Sequence, residues 1–122
     1  MNTYGKELIL DLHGCNVEKF TKYYINKFFK ALCKEIDMVA ETVTFWGYAT
    51  QEELDAAPDH LAGLSAVQFI KTSNITIHAL NKLKVVYLNI FSCKDFDDKV
   101  VMKFCIDYFD GSVFHSETFP RR

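Results

Sequence analysis

Three β-rich segments follow one another in the middle of this chain with no helix between them, at Ser65–Thr72, Asn74–Leu80 and Leu83–Cys93. The breaks, near Ser73 and at Asn81-Lys82, are too short for the crossover that parallel neighbours need, so the pattern predicts antiparallel pairing. An opening strand is predicted at Glu7–His13, where Leu8, Leu10 and Leu12 alternate with Ile9, Asp11 and His13. Val39–Tyr48, rich in β-branched and aromatic residues, and Val113–Phe119 supply two more strands.

Two helices fit between these strands. The first is predicted over about 17–37, with Asn16 as its N-cap and Phe20, Tyr24, Phe28, Leu32 and Ile36 at steps of four. The second is predicted over about 96–109, with Asp95 as cap and Gly111 as stop, burying Val100, Val101, Phe104, Cys105 and Tyr108. Thr50-Gln51-Glu52-Glu53 has the form of a capping box, so residues 49–63 read as a loop with one short helix. The order is β-α-β-loop-β-β-β-α-β. It predicts an α+β two-layer sandwich, an antiparallel sheet with two helices on one face. Ile9 and its neighbours leave the other face partly apolar, which suits a partner chain.

The 122 residues, 49% of them hydrophobic, fill one domain. Lys and Arg number 14 against 16 Asp and Glu, so no basic footprint points to nucleic acid. No apolar run reaches the ~20 residues of a membrane span, and no basic-then-apolar leader opens the chain. The four cysteines form no C-x-x-C pair, which predicts free thiols, a reducing cytoplasmic compartment and no structural metal.

Polar side chains interrupt the middle strands at Ser65, Ser73, Asn74, Thr76, His78 and Cys93. Taken singly, each has an ordinary structural explanation, as a turn residue, a hydrogen-bonded strand histidine or inert packing. Their spacing is more specific. The stretch Gly5-Lys6-Glu7-Leu8-Ile9-Leu10-Asp11-Leu12-His13-Gly14-Cys15 resembles the opening strand of the prokaryotic S-adenosylmethionine decarboxylases. Leu64 to Cys93 resembles their processing and catalytic segment, where a serine precedes Ile-Thr-Ile-His and, later, Ile-Phe-Ser-Cys. In element order the resemblance spans nearly the whole chain.

The resemblance implies a proenzyme that cuts itself between Thr72 and Ser73. The products are a β chain, 1–72, and an α chain, 73–122, that begins with a pyruvoyl cofactor made from Ser73. Ser65 and His78 are then the processing residues, His78 as the base for the Ser73 α-proton. Cys93 is then the proton donor in decarboxylation. The implied substrate is S-adenosylmethionine, the product serves spermidine synthesis, and the assembly is a homodimer. Asp11 matches an acidic position that helps bind substrate. Tyr48, ending Phe45-Trp46-Gly47-Tyr48, fits either a residue stacking on adenine or a strand-end aromatic at a core edge.

Several residues depart from the family pattern. Thr72 and Asn74 flank Ser73 where the family has Glu and His. His78-Ala79-Leu80-Asn81-Lys82 replaces His-Thr-Trp-Pro-Glu, so Lys82 stands where an acid would hold ribose hydroxyls, and an ammonium only donates. Asn81 is the substitute for that acid. The loop at 49–63 is longer than the family's turn. Two alternatives follow: a pyruvoyl-dependent arginine or ornithine decarboxylase, favoured by Asn81 and Lys82, and an unprocessed, non-catalytic homologue acting as a binding partner, favoured by Thr72 and Asn74.

Overall fold

The computed structural model describes residues 3–122. Six strands, β1 (Gly5–His13), β2 (Val43–Trp46), β3 (Gly63–Ile70), β4 (Ser73–Leu80), β5 (Val85–Ser92) and β6 (Ser112–Arg121), form one antiparallel sheet. Its spatial order is β2-β3-β4-β5-β1-β6. Helices α1 (Lys22–Glu35) and α3 (Asp98–Phe109) are the two long ones, and α2 (Gln51–Ala56) is a short helix in the β2–β3 connection. The α+β reading therefore holds, with the three middle strands as consecutive hairpins.

Alternation assigns the two sheet faces. Leu8, Leu10, Leu12, Ile75, Ile77, Ala79, Leu88 and Ile90 are buried and pack with Phe28, Leu32, Val101 and Phe109 of the helices. On the opposite face Trp46, Phe69 and Tyr87 remain exposed. Phe28 sits at the centre of an aromatic cluster, its ring 4.8 Å from Phe109, 5.3 Å from Tyr108 and 6.0 Å from Phe104.

Helix boundaries differ from the sequence expectation for local reasons. Asn16 does cap, but its side chain accepts from the Glu18 N–H and starts only a 3₁₀ turn, Val17–Lys19. Phe20 breaks that turn, and Thr21 caps α1 by accepting from the Tyr24 N–H. The buried stripe of α1 is Ile25, Phe28, Phe29, Leu32 and Cys33, because a 3.6-residue period drifts off steps of four. Asp97, not Asp95, caps α3 through the Lys99 and Val100 N–H groups. Asp95 pairs instead with Lys6 at 3.0 Å. Val100 faces solvent, and the buried positions of α3 are Val101, Cys105 and Phe109. Asp110 takes the left-handed cap at φ 53°, while Gly111 is needed because a Cβ there would sit 2.7 Å from Cys15 Sγ.

β2 is shorter than predicted, four residues rather than ten. Residues 39–42 run beside β3 without regular pairing, held by Glu41 N–H to the Phe69 carbonyl and Phe69 N–H to the Thr42 carbonyl. Buried Gln68 donates its amide to the Glu41 carbonyl at 3.0 Å and ties that segment down. No helix among the described residues is long and apolar enough to cross a membrane. Removing the central ring tests the core: Phe28→Ala is expected to lower unfolding free energy by about 3–5 kcal/mol, read from urea melts by circular dichroism. A loss below ~1 kcal/mol would place the core elsewhere.

Candidate active site

The β3–β4 hairpin has a two-residue turn. Ile70 pairs with Ser73, leaving Lys71 and Thr72 to reverse the chain. Thr72 adopts φ 52°. A β-branched residue rarely enters this left-handed region, and holding it there costs about 1–3 kcal/mol. The strained residue is the one whose carbonyl precedes Ser73.

Ser73 is buried, and its Oγ accepts from the Cys93 N–H at 3.1 Å while the hydroxyl donates to Cys93 Sγ at 3.6 Å. Thr72 Oγ1 lies 3.5 Å from the same sulfur and 2.8 Å from the Lys71 carbonyl. A third hydroxyl, that of Tyr4, donates to Thr72 Oγ1 at 3.3 Å. The close approach depends on Gly5, where a methyl group would run into the Ser92 carbonyl. Sequence reasoning passed over Tyr4, and the only hint of it was an aromatic side chain directly before that glycine.

These contacts separate Cys93 from the other thiols. Hydrogen bonds from Thr72 and then Ser73 pull its pKa below the ordinary thiol value, against some desolvation, and the side chain is exposed. Burial pushes Cys15 and Cys33 up to about 11 each, and it raises buried Cys105 as well. All four are free.

Ser65 and His78 form a second cluster. They are directly opposed on β3 and β4, with Ser65 Oγ 2.7 Å from His78 Nδ1. They belong to a rung that crosses all six strands on the helix-free face: Trp46, Ser65, His78, Tyr87, Asp11 and His115. Trp46, Tyr48, Leu61, Leu80 and Tyr87 border a cleft of about 660 Å³ over Ser65 and His78. Tyr48 stands edge-on to Trp46 at 5.2 Å and donates its hydroxyl to the Leu61 carbonyl. Asp11 lies in the same rung, two strands from His78.

Asn81 and Lys82 serve the loop. Asn81 N–H bonds the Ala62 carbonyl, and its Oδ1 is buried with no partner. Lys82 Nζ donates to the carbonyls of Asp55 and Ala57, both at 2.6 Å. That ammonium closes the C-terminal end of α2, where carbonyls lack helical partners. The longer loop thus accounts for the lysine.

The structure joins Ser73, Thr72 and Cys93, and separately Ser65 and His78. It does not bring the two groups together in one chain. Ser73 and His78 are five residues apart along β4, about 17 Å at the usual strand rise. They also lie on opposite faces, Ser73 in phase with buried Ile75 and Ile77. Among the described residues no three His, Cys, Asp or Glu side chains are placed to hold a metal ion.

An α+β sandwich with hydroxyls and a thiol gathered at a strained hairpin defines a class with a known architecture. A solved adenosylmethionine decarboxylase from Aquifex aeolicus superposes with a TM-score of 0.77 over 99% of this chain and 92% of its own, at 15% identity. The chain belongs to the S-adenosylmethionine decarboxylase family, whose model matches residues 6–122. S-adenosylmethionine decarboxylase proenzymes of Bacillus velezensis and Clostridium botulinum are similar to it. The first is 25% identical over 99% of this chain and 88% of that protein. The second is 27% identical over 85% of this chain and 82% of that protein.

The thiol environments predict selective chemistry. At neutral pH, iodoacetamide is expected to add one label, at Cys93, with the three buried thiols untouched until the fold is opened; peptide mass mapping reads the site. Labelling spread over several cysteines in the native protein would contradict the assignment.

Proposed function

We propose that the chain is a proenzyme that cuts itself between Thr72 and Ser73 and then decarboxylates S-adenosylmethionine, supplying the aminopropyl donor for spermidine. Family membership supports the reaction class. The observation that carries the self-cleavage is the hairpin itself: a nucleophilic hydroxyl held by a backbone N–H and a thiol, directly after a residue in strained backbone.

In the first step Ser73 Oγ adds to the Thr72 carbonyl, and the amide becomes an ester as the C–N bond breaks. A base then removes the Ser73 α-proton, the Cβ–O bond breaks, and Thr72 departs as a carboxylate. Hydrolysis of the resulting dehydroalanine releases ammonia and leaves the pyruvoyl group at position 73 of a 50-residue α chain, beside a β chain of 72 residues. Ser73 Oγ departs with Thr72, so the Cys93 N–H that now holds it would be left as a free donor beside the group formed at position 73.

His78 is the base, supported in orientation by Ser65, and it comes from a second copy. Two sheets facing each other about a two-fold axis that runs across their strands have reversed strand directions. The rung that carries Ser65 and His78 in one copy then overlies the hairpin end of the other, where Thr72 and Cys93 are exposed, so His78 would approach the Ser73 α-carbon from the face opposite its buried side chain. The helix-free face has the composition such a contact needs, with Trp46, Phe69 and Tyr87 exposed and Ile9 and Phe91 half-buried. The working unit is thus a homodimer with shared sites, and its free buried thiols suit the cytoplasm.

When formed, the pyruvoyl carbonyl supplies an electron sink for the substrate amine. Cys93, as a thiol, protonates the carbon that loses carbon dioxide. Trp46 and Tyr48 offer aromatic surface for adenine and Asp11 attracts the cationic substrate, while Asn81 borders the neighbouring cleft beside Tyr48, where its buried, unpartnered Oδ1 would accept from a ribose hydroxyl only once that cleft opens. Lys82, committed to the loop carbonyls, gives no support to an amino-acid substrate.

Intact mass is expected to resolve the purified protein into chains of 72 and 50 residues, with Ser73→Ala remaining whole, and carbon dioxide release from S-adenosylmethionine should follow the cut form. A parent chain that stays uncut at neutral pH sinks the proenzyme reading. His78→Ala should slow cutting by about 10²–10⁴. Coexpressing it with Ser73→Ala is expected to restore cutting of the His78→Ala chain, because one site of the mixed dimer then has both residues. No restoration in a verified mixed dimer would overturn the shared site.

A further inference from the structure

Tyr4 precedes β1 and has no part in the constellation that the sequence suggests. Three restraints hold it. Its N–H bonds the Arg121 carbonyl at 2.7 Å, its ring stacks on Phe91 with centroids 6.2 Å apart and planes within 18°, and Gly5 lets the start of β1 lie against the end of β5. The phenol is thereby set on Thr72 Oγ1, the hydroxyl that touches Cys93 Sγ.

A hydroxyl has one hydrogen and two acceptor positions. When Tyr4 donates into Thr72 Oγ1, the Thr72 hydrogen is left for an outgoing bond, and donation from one side strengthens donation on the other. That hydrogen goes to the Lys71 carbonyl at 2.8 Å, and the Cys93 sulfur lies 3.5 Å from the same oxygen. We propose that Tyr4 is a positioning residue for Cys93, its phenol fixing the Thr72 hydroxyl against which the sulfur rests beside Ser73. This rests on the reading of Cys93 as the proton donor of the reaction.

The charged groups nearest the sulfur do not compete for the role. Lys6 is paired with Asp95 at 3.0 Å and Lys94 with Asp37 at 3.1 Å, while Lys71 and Glu41 border a cleft that Cys93 also lines but are not among the groups that shift its pKa. Among the groups that lower the Cys93 pKa are three hydroxyls, those of Thr72, Ser73 and Tyr4.

The test uses the full-length chain with Ser73→Ala, which cannot cut itself, so the measurement is independent of processing. Iodoacetamide alkylation of Cys93 is followed against pH. Tyr4→Phe, which keeps the ring on Phe91, should move the midpoint upward and slow alkylation at pH 7 by ~3-fold. Thr72→Val should do the same, the double variant no more than either alone, and Thr72→Ser should restore the original profile. Superimposable profiles for Tyr4→Phe and its parent would overturn the proposal, as would full additivity with Thr72→Val. In the chain that retains Ser73, Tyr4→Phe is expected to lower kcat with KM unchanged. A parent that never cuts defeats the reading of Cys93 in catalysis, whereas an unchanged alkylation profile defeats the role of Tyr4.

Discussion

The turn at Lys71-Thr72 fixes everything that matters in this molecule. Because it has two residues, Ile70 must face Ser73, and the antiparallel register then sets Ser65 opposite His78. The β4–β5 pairing, with Asn74 opposite Phe91, brings Thr72 level with Cys93 when it is carried two residues outward. Spacings that look like an arbitrary motif in the sequence are thus the arithmetic of two hairpins. A slip of one residue between β3 and β4 would part Ser65 from His78, and one between β4 and β5 would part Ser73 from Cys93.

The same register explains why the proposed site takes residues from two copies. Antiparallel strands keep Ser65 and His78 at one end of the sheet and Ser73 with Cys93 at the other, so no rotamer change can close about 17 Å. What the fold offers is a flat, aromatic, partly polar sheet face with a reacting group at each end. In the proposed dimer, two such faces laid together in opposite directions would make two equivalent sites, an isologous arrangement in which each copy gives and receives the same contacts.

The fold class and the order of elements along the chain were legible because period-two alternation is strong in β1 and the three middle strands lack helices between them. Ser73, His78, Cys93 and Ser65 could be named because their offsets match the family's processing segment, and the structure shows those offsets to be hairpin register. Other features were hidden for identifiable reasons. Asn16 and Asp95 are both good capping residues, and only the path of the chain shows that Thr21 and Asp97 begin the α-helices. Lys82 looked like a lost acid, yet its ammonium is spent on the carbonyls of a loop whose conformation no local pattern encodes. Tyr4 touches a residue 68 positions away through a gap that only Gly5 leaves open, and single-sequence periodicity carries no information about such a contact.

Thr72 changes meaning once it is seen in place. Where relatives of this kind carry a carboxylate, this chain has a β-branched alcohol, and a β-branched side chain makes the left-handed turn harder to hold. In the proposed shift from amide to ester, the path from Thr72 to residue 73 runs through Oγ and Cβ and grows by one atom. The turn then ceases to dictate φ at Thr72, and release of about 1–3 kcal/mol offsets part of the cost of exchanging an amide for an ester. The hydroxyl brings a second difference. An ionised carboxylate beside Cys93 could only accept hydrogen bonds and would repel a thiolate, whereas an alcohol accepts from Tyr4 and donates onward. An alcohol in place of the acid therefore keeps a hydrogen-bonding link to the thiol and adds strain beside the bond that the proposed cleavage breaks.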